Sequence, residues 1–203
     1  MKKKNILIGI LIVLFIVLTV LIKTHTIDSF DTSIYNIVIL KMNDTITIIN
    51  KIITFLGSTV FIVSLCVVLF FLFLFLKKKN IAFIIAGCLI ISTIFNNVVK
   101  LIIRRPRPEV LRLVTEKSFS FPSGHTMGAV SMYGIILYLI IKSNLNKNVK
   151  WMLGIIFTVL PILVGISRIY LGAHFASDII GGILLALALL LIETSIIAKN
   201  KWL

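Results

Sequence analysis

Two of the three histidines in this 203-residue chain stand beside residues suited to binding an anion. His125 follows Pro122, Ser123 and Gly124. His174 lies six residues after Arg168 and four before Asp178. A third group, from Lys100 to Arg107 and Pro108, adds further cations. An arginine offers a planar fork that matches phosphate oxygens, and a lysine acts as a point charge. Ser123 and Gly124 fall where a helix would begin, and a helix N-terminus presents free N–H groups to an anion. Glycine there lets the backbone come close. His174 and Asp178, four apart, would share one face of a helix. A carboxylate that fixes one imidazole nitrogen leaves the other free to attack, which suits His174 to a nucleophile and Asp178 to its orienting group. His125 suits a general acid for a leaving oxygen. The set fits phosphoryl transfer, where positioning and charge stabilisation carry most of the catalysis.

The segments that must hold these groups are apolar. Hydrophobic residues make up 59% of the chain and charged residues 14%, against about 45–50% and 25% in soluble domains. A soluble domain and a disordered chain are both excluded. Two cysteines, Cys66 and Cys88, sit inside apolar runs and are no disulfide framework. A net charge of +14 would ordinarily raise nucleic-acid binding. The basic residues instead fall in short clusters between apolar runs, so no nucleic-acid partner is expected. The bilayer is the expected surround.

Six runs are long enough to cross a bilayer: 5–22, 57–76, 81–103, 124–141, 151–167 and 174–198. The first follows Lys2, Lys3 and Lys4 like a signal peptide, but it lacks an A-x-A-like cleavage site and reads as a retained span. Lys77, Lys78, Lys79, Lys142, Lys147, Lys150, Lys199 and Lys201 join the first three lysines on one side, with Glu193 the only acid nearby. That side is expected to be cytoplasmic, with both termini inside. All three chemical clusters then meet the opposite, extracytoplasmic face. Lys100, Arg104, Arg105, Arg107 and Arg168 lie there against the topological bias, and an anion would explain them. Arg104, Arg105 and Arg112 read as snorkelling residues at a helix end, whereas Lys100 and Arg107 read as phosphate ligands. Within 23–56, Asp28 and Asn43 or Asp44 look like N-caps, each followed by apolar residues at helical spacing. Either two amphipathic helices lie at the outer interface or a structured loop caps the bundle. The expected fold is all-α: a six-transmembrane-helix bundle with short interfacial helices on the outer face, one domain over 1–203.

The pattern K-x6-R-P, P-S-G-H and S-R-x5-H-x3-D resembles the three-part signature of the type 2 phosphatidic-acid phosphatase superfamily. It reads here Lys100…Arg107-Pro108, Pro122-Ser123-Gly124-His125 and Ser167-Arg168…His174…Asp178. The resemblance implies a phosphohistidine on His174 supported by Asp178, with His125 protonating the leaving group and then activating water. It implies that Lys100, Arg107, Ser123, Gly124 and Arg168 hold the phosphoryl oxygens, with no metal and no cofactor. Small six-span members resemble phosphatidylglycerophosphate or undecaprenyl-diphosphate phosphatases, so a lipid phosphate is the expected partner, with phosphatidic acid a third substrate of the same form. A non-catalytic lipid-phosphate carrier would use the same cations, but would not need two histidines and a carboxylate. A phosphotransferase would share the intermediate and differ only in the acceptor. A vanadate-dependent oxidase fits poorly, since those relatives are soluble. Oligomeric state has no signature in the sequence.

Overall fold

The computed structural model describes residues 2–200 and 202; Lys201, counted above among the inner-side lysines, lies outside the described residues. The chain is all-helical, and among the described residues there is no strand. The helices are α1 (Lys2–Lys23), α2 (Asp28–Ile39), α3 (Asp44–Phe55), α4 (Thr59–Phe75), α5 (Lys79–Ile103), α6 (Gly124–Lys142), α7 (Lys147–Tyr170) and α8 (Ala176–Lys199).

Five of them, α1, α5, α6, α7 and α8, are long and apolar enough to cross a membrane. The run 57–76 behaves differently from a plain span. Its helix α4 has 17 residues and continues α3 across a 41° bend, so the pair counts as a sixth candidate only if taken together. Ser58 causes the break: its side chain caps the Phe61 N–H at 3.2 Å and starts a new helix. Many large aliphatic and aromatic side chains stay exposed on the outward faces, among them Val13, Phe71, Phe75 and Ile102. A water-soluble protein does not present such continuous apolar surface. The protein is a multi-pass membrane protein.

The buried core lies between α4, α5, α6 and α7, with Ile62, Ile85, Met132, Ile135 and Val164 at its centre. Close approach of α8 to the start of α6 depends on small residues. A Cβ on Gly182 would stand 3.1 Å from the Ser123 carbonyl, and one on Gly181 would strike the Phe121 ring. That ring in turn stacks on Phe15 of α1, centroids 5.5 Å apart.

The segment 23–56 is docked rather than loose. Ile34, Tyr35 and Val38 of α2 pack on Ile169, Ala176 and Ile179. Tyr170 of α7 meets Thr47 Oγ1 at 2.9 Å, and Tyr133 of α6 donates to the Leu56 carbonyl at 2.7 Å. Asn43 is the N-cap of α3, as its type predicts, accepting from Ile46 N at 2.9 Å. Asp28 is not a cap. Ile27 holds that position, and Asp28, the first helical residue, faces His25 Nδ1 at 3.0 Å instead.

Candidate active site

Local backbone chemistry brings the three clusters to one end of the bundle. Helix α5 stops at Arg104, which adopts a left-handed conformation, φ 51°, just before Pro106 and Pro108. Lys100 is therefore in its last turn. Ser123 is the N-cap of α6 and accepts from Thr126 N at 3.4 Å, which leaves Gly124 and His125 as the first helical residues. Helix α7 ends in a Schellman turn. Ala173 N donates to the Arg168 carbonyl at 3.0 Å and Gly172 N to the Ile169 carbonyl at 3.0 Å, with Gly172 at φ +67°. That turn throws the chain back on itself, so that Arg168 and His174 end up close. His174 is thus not on a helix with Asp178, as their spacing predicts. It lies in the turn before α8, one residue ahead of the N-cap Phe175, while Asp178 sits in the first helical turn. The pair still meets, His174 Nδ1 to Asp178 Oδ2 at 3.3 Å.

A cavity of about 310 Å³ is lined by Lys100, Arg107, Gly124, His125 and His174, five of the eight residues singled out from sequence, together with Glu116 and Ser118. The other three stand behind it. Asp178 is fully buried beneath His174. The Ser123 hydroxyl is occupied by capping and by Thr126 Oγ1 at 3.1 Å. Arg168 is buried, donating to Thr54 Oγ1 at 3.0 Å and paired with Glu116. Its Nε has no hydrogen-bond partner among the described residues, so one buried donor remains for a further acceptor.

The cations are aimed rather than scattered. Arg107 donates to the carbonyls of Ser118 at 2.7 Å and Ala173 at 2.8 Å, and its Nη1 lies 3.3 Å from His174 Nε2. Lys100 Nζ reaches Ser118 Oγ at 3.1 Å. Glu116 was not foreseen from sequence. Its carboxylate pairs with Arg168 and lies 3.7 Å from Arg107 Nη2 and 4.0 Å from His125 Nδ1. A carboxylate held among two guanidiniums and an imidazole marks where an anion is favoured.

Behind His174 lies a network that spacing alone did not reveal. Asp178 accepts from Phe175 N at 3.0 Å, from the Ser120 hydroxyl, and from Arg105 Nη1 at 2.7 Å. Arg105 also reaches Asp31 Oδ2 at 2.7 Å and Ser177 Oγ at 2.7 Å, and lies over the Phe175 ring, 4.0 Å from its centroid. The snorkelling reading of Arg105 is therefore overturned: two buried carboxylates hold the guanidinium in the interior. Arg104, just past the end of α5, is exposed at the surface, consistent with that reading; Arg112 is exposed too but stands in the loop between α5 and α6, where its Nε donates to the Pro108 carbonyl at 2.8 Å. Asp31 of α2 has a single sequence signal, a carboxylate three residues before Ile34, on the face that α2 packs inward.

His174 lies in the turn between α7 and α8, outside both helices, and is 2% exposed. Burial pulls its imidazole down to about 4, against a smaller opposing effect of the Asp178 hydrogen bond and charge. It is neutral at pH 7. With Nδ1 turned to Asp178, the lone pair is on Nε2, at the cavity, where it accepts from Arg107 Nη1 at 3.3 Å. Among the described residues no three His, Cys, Asp or Glu side chains are grouped to hold a metal ion.

The chain has relatives among known proteins, and its fold has a counterpart among solved structures. The profile of the PAP2 superfamily matches residues 81–202. Phosphatidylglycerophosphatase B of Bacillus subtilis (strain 168) is 36% identical over 193 residues, 94% of this chain and 95% of that protein. Undecaprenyl-diphosphatase BcrC of the same organism is 29% identical over 103 residues, 48% of each chain. The crystal structure of a transmembrane PAP2-type phosphatidylglycerolphosphate phosphatase from Bacillus subtilis superposes with a TM-score of 0.88 at 34% identity, covering 95% of this chain and 96% of that one. Fold and relatives together define a lipid phosphatase of the membrane. The chain belongs to the PAP2 superfamily.

Proposed function

We propose that this protein removes the terminal phosphate of a membrane lipid through a phosphohistidine on His174, at the extracytoplasmic face. One observation carries the reading. The cavity that holds Lys100, Arg107, His125 and His174 continues past Ile62, Val63 and Leu89, between α4 and α5. A phosphate can rest among the cations while an apolar tail leaves toward lipid.

In the first step His174 Nε2 attacks phosphorus, a P–N bond forms and the P–O bond to the leaving group breaks. His125 gives that oxygen its proton. Asp178 keeps the proton of His174 on Nδ1. In the second step water attacks phosphorus, His125 takes its proton, and the P–N bond breaks to release inorganic phosphate. Lys100 and Arg107 hold the equatorial oxygens, with Arg168 behind them once Glu116 yields. The Gly124 backbone borders the same space, and Ser123 acts through the cap that fixes the start of α6. The phosphorylated imidazole needs no metal for either step.

The substrate we favour is phosphatidylglycerophosphate, on the names of the two relatives that match nearly the whole chain. Phosphatidic acid and undecaprenyl diphosphate carry the same terminal group. The arrangement we favour is one domain with six spans, α3 and α4 sharing one of them, α2 at the outer interface, and both ends cytoplasmic. The test is phosphate release by purified protein, with EDTA present, across these three lipids. Turnover that survives EDTA and vanishes in His174→Ala, together with an acid-labile, alkali-stable phosphoenzyme, is expected. Full activity in His174→Ala would overturn the reading.

A further inference from the structure

The end of the bundle remote from His174 contains a second cavity that the reaction does not use. It measures about 890 Å³ and opens between α4, α5 and α6, within the range of about 300–1,000 Å³ common for ligand sites. Lys79 and Lys100 mark opposite ends of α5, about 30 Å apart at 1.5 Å per residue, so this cavity and the phosphatase site face opposite surfaces. Its walls are apolar, with Phe73, Ile85 and Ile136 among them. Its mouth carries Lys77, Lys78, Lys79 and Lys142, and among the described residues no carboxylate lines it. Lys150 close by is satisfied by the Ile141 and Ser143 carbonyls at 2.9 and 2.6 Å. The ammonium groups of the four lysines at the mouth have no hydrogen-bond or ion-pair partner among the described residues.

Topology alone asks for positive charge at this end. It does not ask for an apolar cleft behind the charge. We propose that the cleft binds one anionic lipid of the adjoining leaflet, its phosphate among the lysines and an acyl chain against Phe73, Ile85 and Ile136. The charge pattern selects this occupant. A zwitterionic lipid would bring its own cation toward four ammonium groups. Free phosphate would leave the apolar walls uncovered. A second copy of the chain would set lysine against lysine.

Trp202 lines the cleft and supplies the readout. The only other tryptophan, Trp151, is outside it, at the start of α7. Full-length Trp151→Phe is placed in phosphatidylcholine nanodiscs holding a low, fixed fraction of brominated lipid, either phosphatidylglycerol or phosphatidylcholine. Quenching of Trp202 is expected to be several-fold stronger with the anionic lipid, and the excess is expected to disappear in Lys77→Gln/Lys78→Gln/Lys142→Gln. The reverse variant, Trp202→Phe, reports general enrichment through Trp151 and is expected to show little preference. Equal quenching of Trp202 by the two lipids, equal preference at Trp151, or a preference that survives the triple substitution would overturn the proposal. The lysine variants are expected to keep full phosphatase turnover, so this result and the phosphatase test fail independently.

Discussion

Three residues show how burial and pairing tune the candidate site. His174 is kept neutral by desolvation, so its nucleophilic form persists down to about pH 4. The acid limb of phosphate release due to this residue is expected near 4 rather than near the 6.5 of a free imidazole. Stability follows the same shift. The folded value lies below the unfolded one, so the unfolded chain binds the proton first as pH falls. Stability is full above 6.5 and declines from there toward 4, a slope that melting curves in detergent would show and that His174→Gln would lose. Arg105 joins Asp31 to Asp178, and removing one partner of a buried pair typically costs about 3–5 kcal/mol. Arg105→Leu is expected to lower the melting temperature sharply and to reduce kcat, whereas Arg104→Leu, on an exposed side chain, leaves both nearly unchanged. Glu116 pairs with Arg168 and Arg107 at the cavity wall. Glu116→Gln is expected to tighten inhibition by inorganic vanadate about tenfold, roughly 1.4 kcal/mol; weaker inhibition would contradict that role. His125, His174 and Asp178 were legible because few residue types do this chemistry and their spacing is distinctive. Arg105, Glu116 and Asp31 were not, since the pairings Arg105–Asp178, Arg105–Asp31 and Glu116–Arg168 span 52 to 74 positions in sequence and no local pattern reports such a pairing.

At the scale of elements, what was legible was periodicity and what was hidden was the turns. The runs 81–103 and 124–141 match α5 and α6 to within two residues, because long apolar stretches bounded by charge or proline leave little choice. The run 57–76 did not show its bend, since Ser58 is one polar residue whose capping matters only when the backbone turns there. The Schellman turn after α7 was equally hidden, although it decides where His174 stands. Gly172→Ala forces a side chain into a left-handed conformation, a penalty of about 1–2 kcal/mol, and drives its Cβ into the Leu111 carbonyl. The expected result is a fall in kcat of about a hundredfold with little change in KM, because displacing His174 by roughly an ångström misaligns attack more than binding. Steady-state kinetics on the folded variant would check it.

Over the whole molecule, the charge asymmetry read from sequence bears on which way the bundle faces. Asn144 and Glu109 lie at opposite ends and are both exposed, while the native Cys66 and Cys88 are buried. In intact cells an impermeant maleimide is expected to label Glu109→Cys and to spare Asn144→Cys; the opposite pattern would invert the orientation. The family profile begins at residue 81, yet Asp31 and Thr54, ligands of Arg105 and Arg168, come from earlier in the chain. A fragment trimmed to the matched region would keep every signature residue and still take one buried partner from each of two interior guanidiniums. The smallest working unit of this enzyme is therefore larger than its recognisable core, and grafting the core onto a foreign N-terminal half would succeed only if that half supplied an acid and a hydroxyl at the same two places.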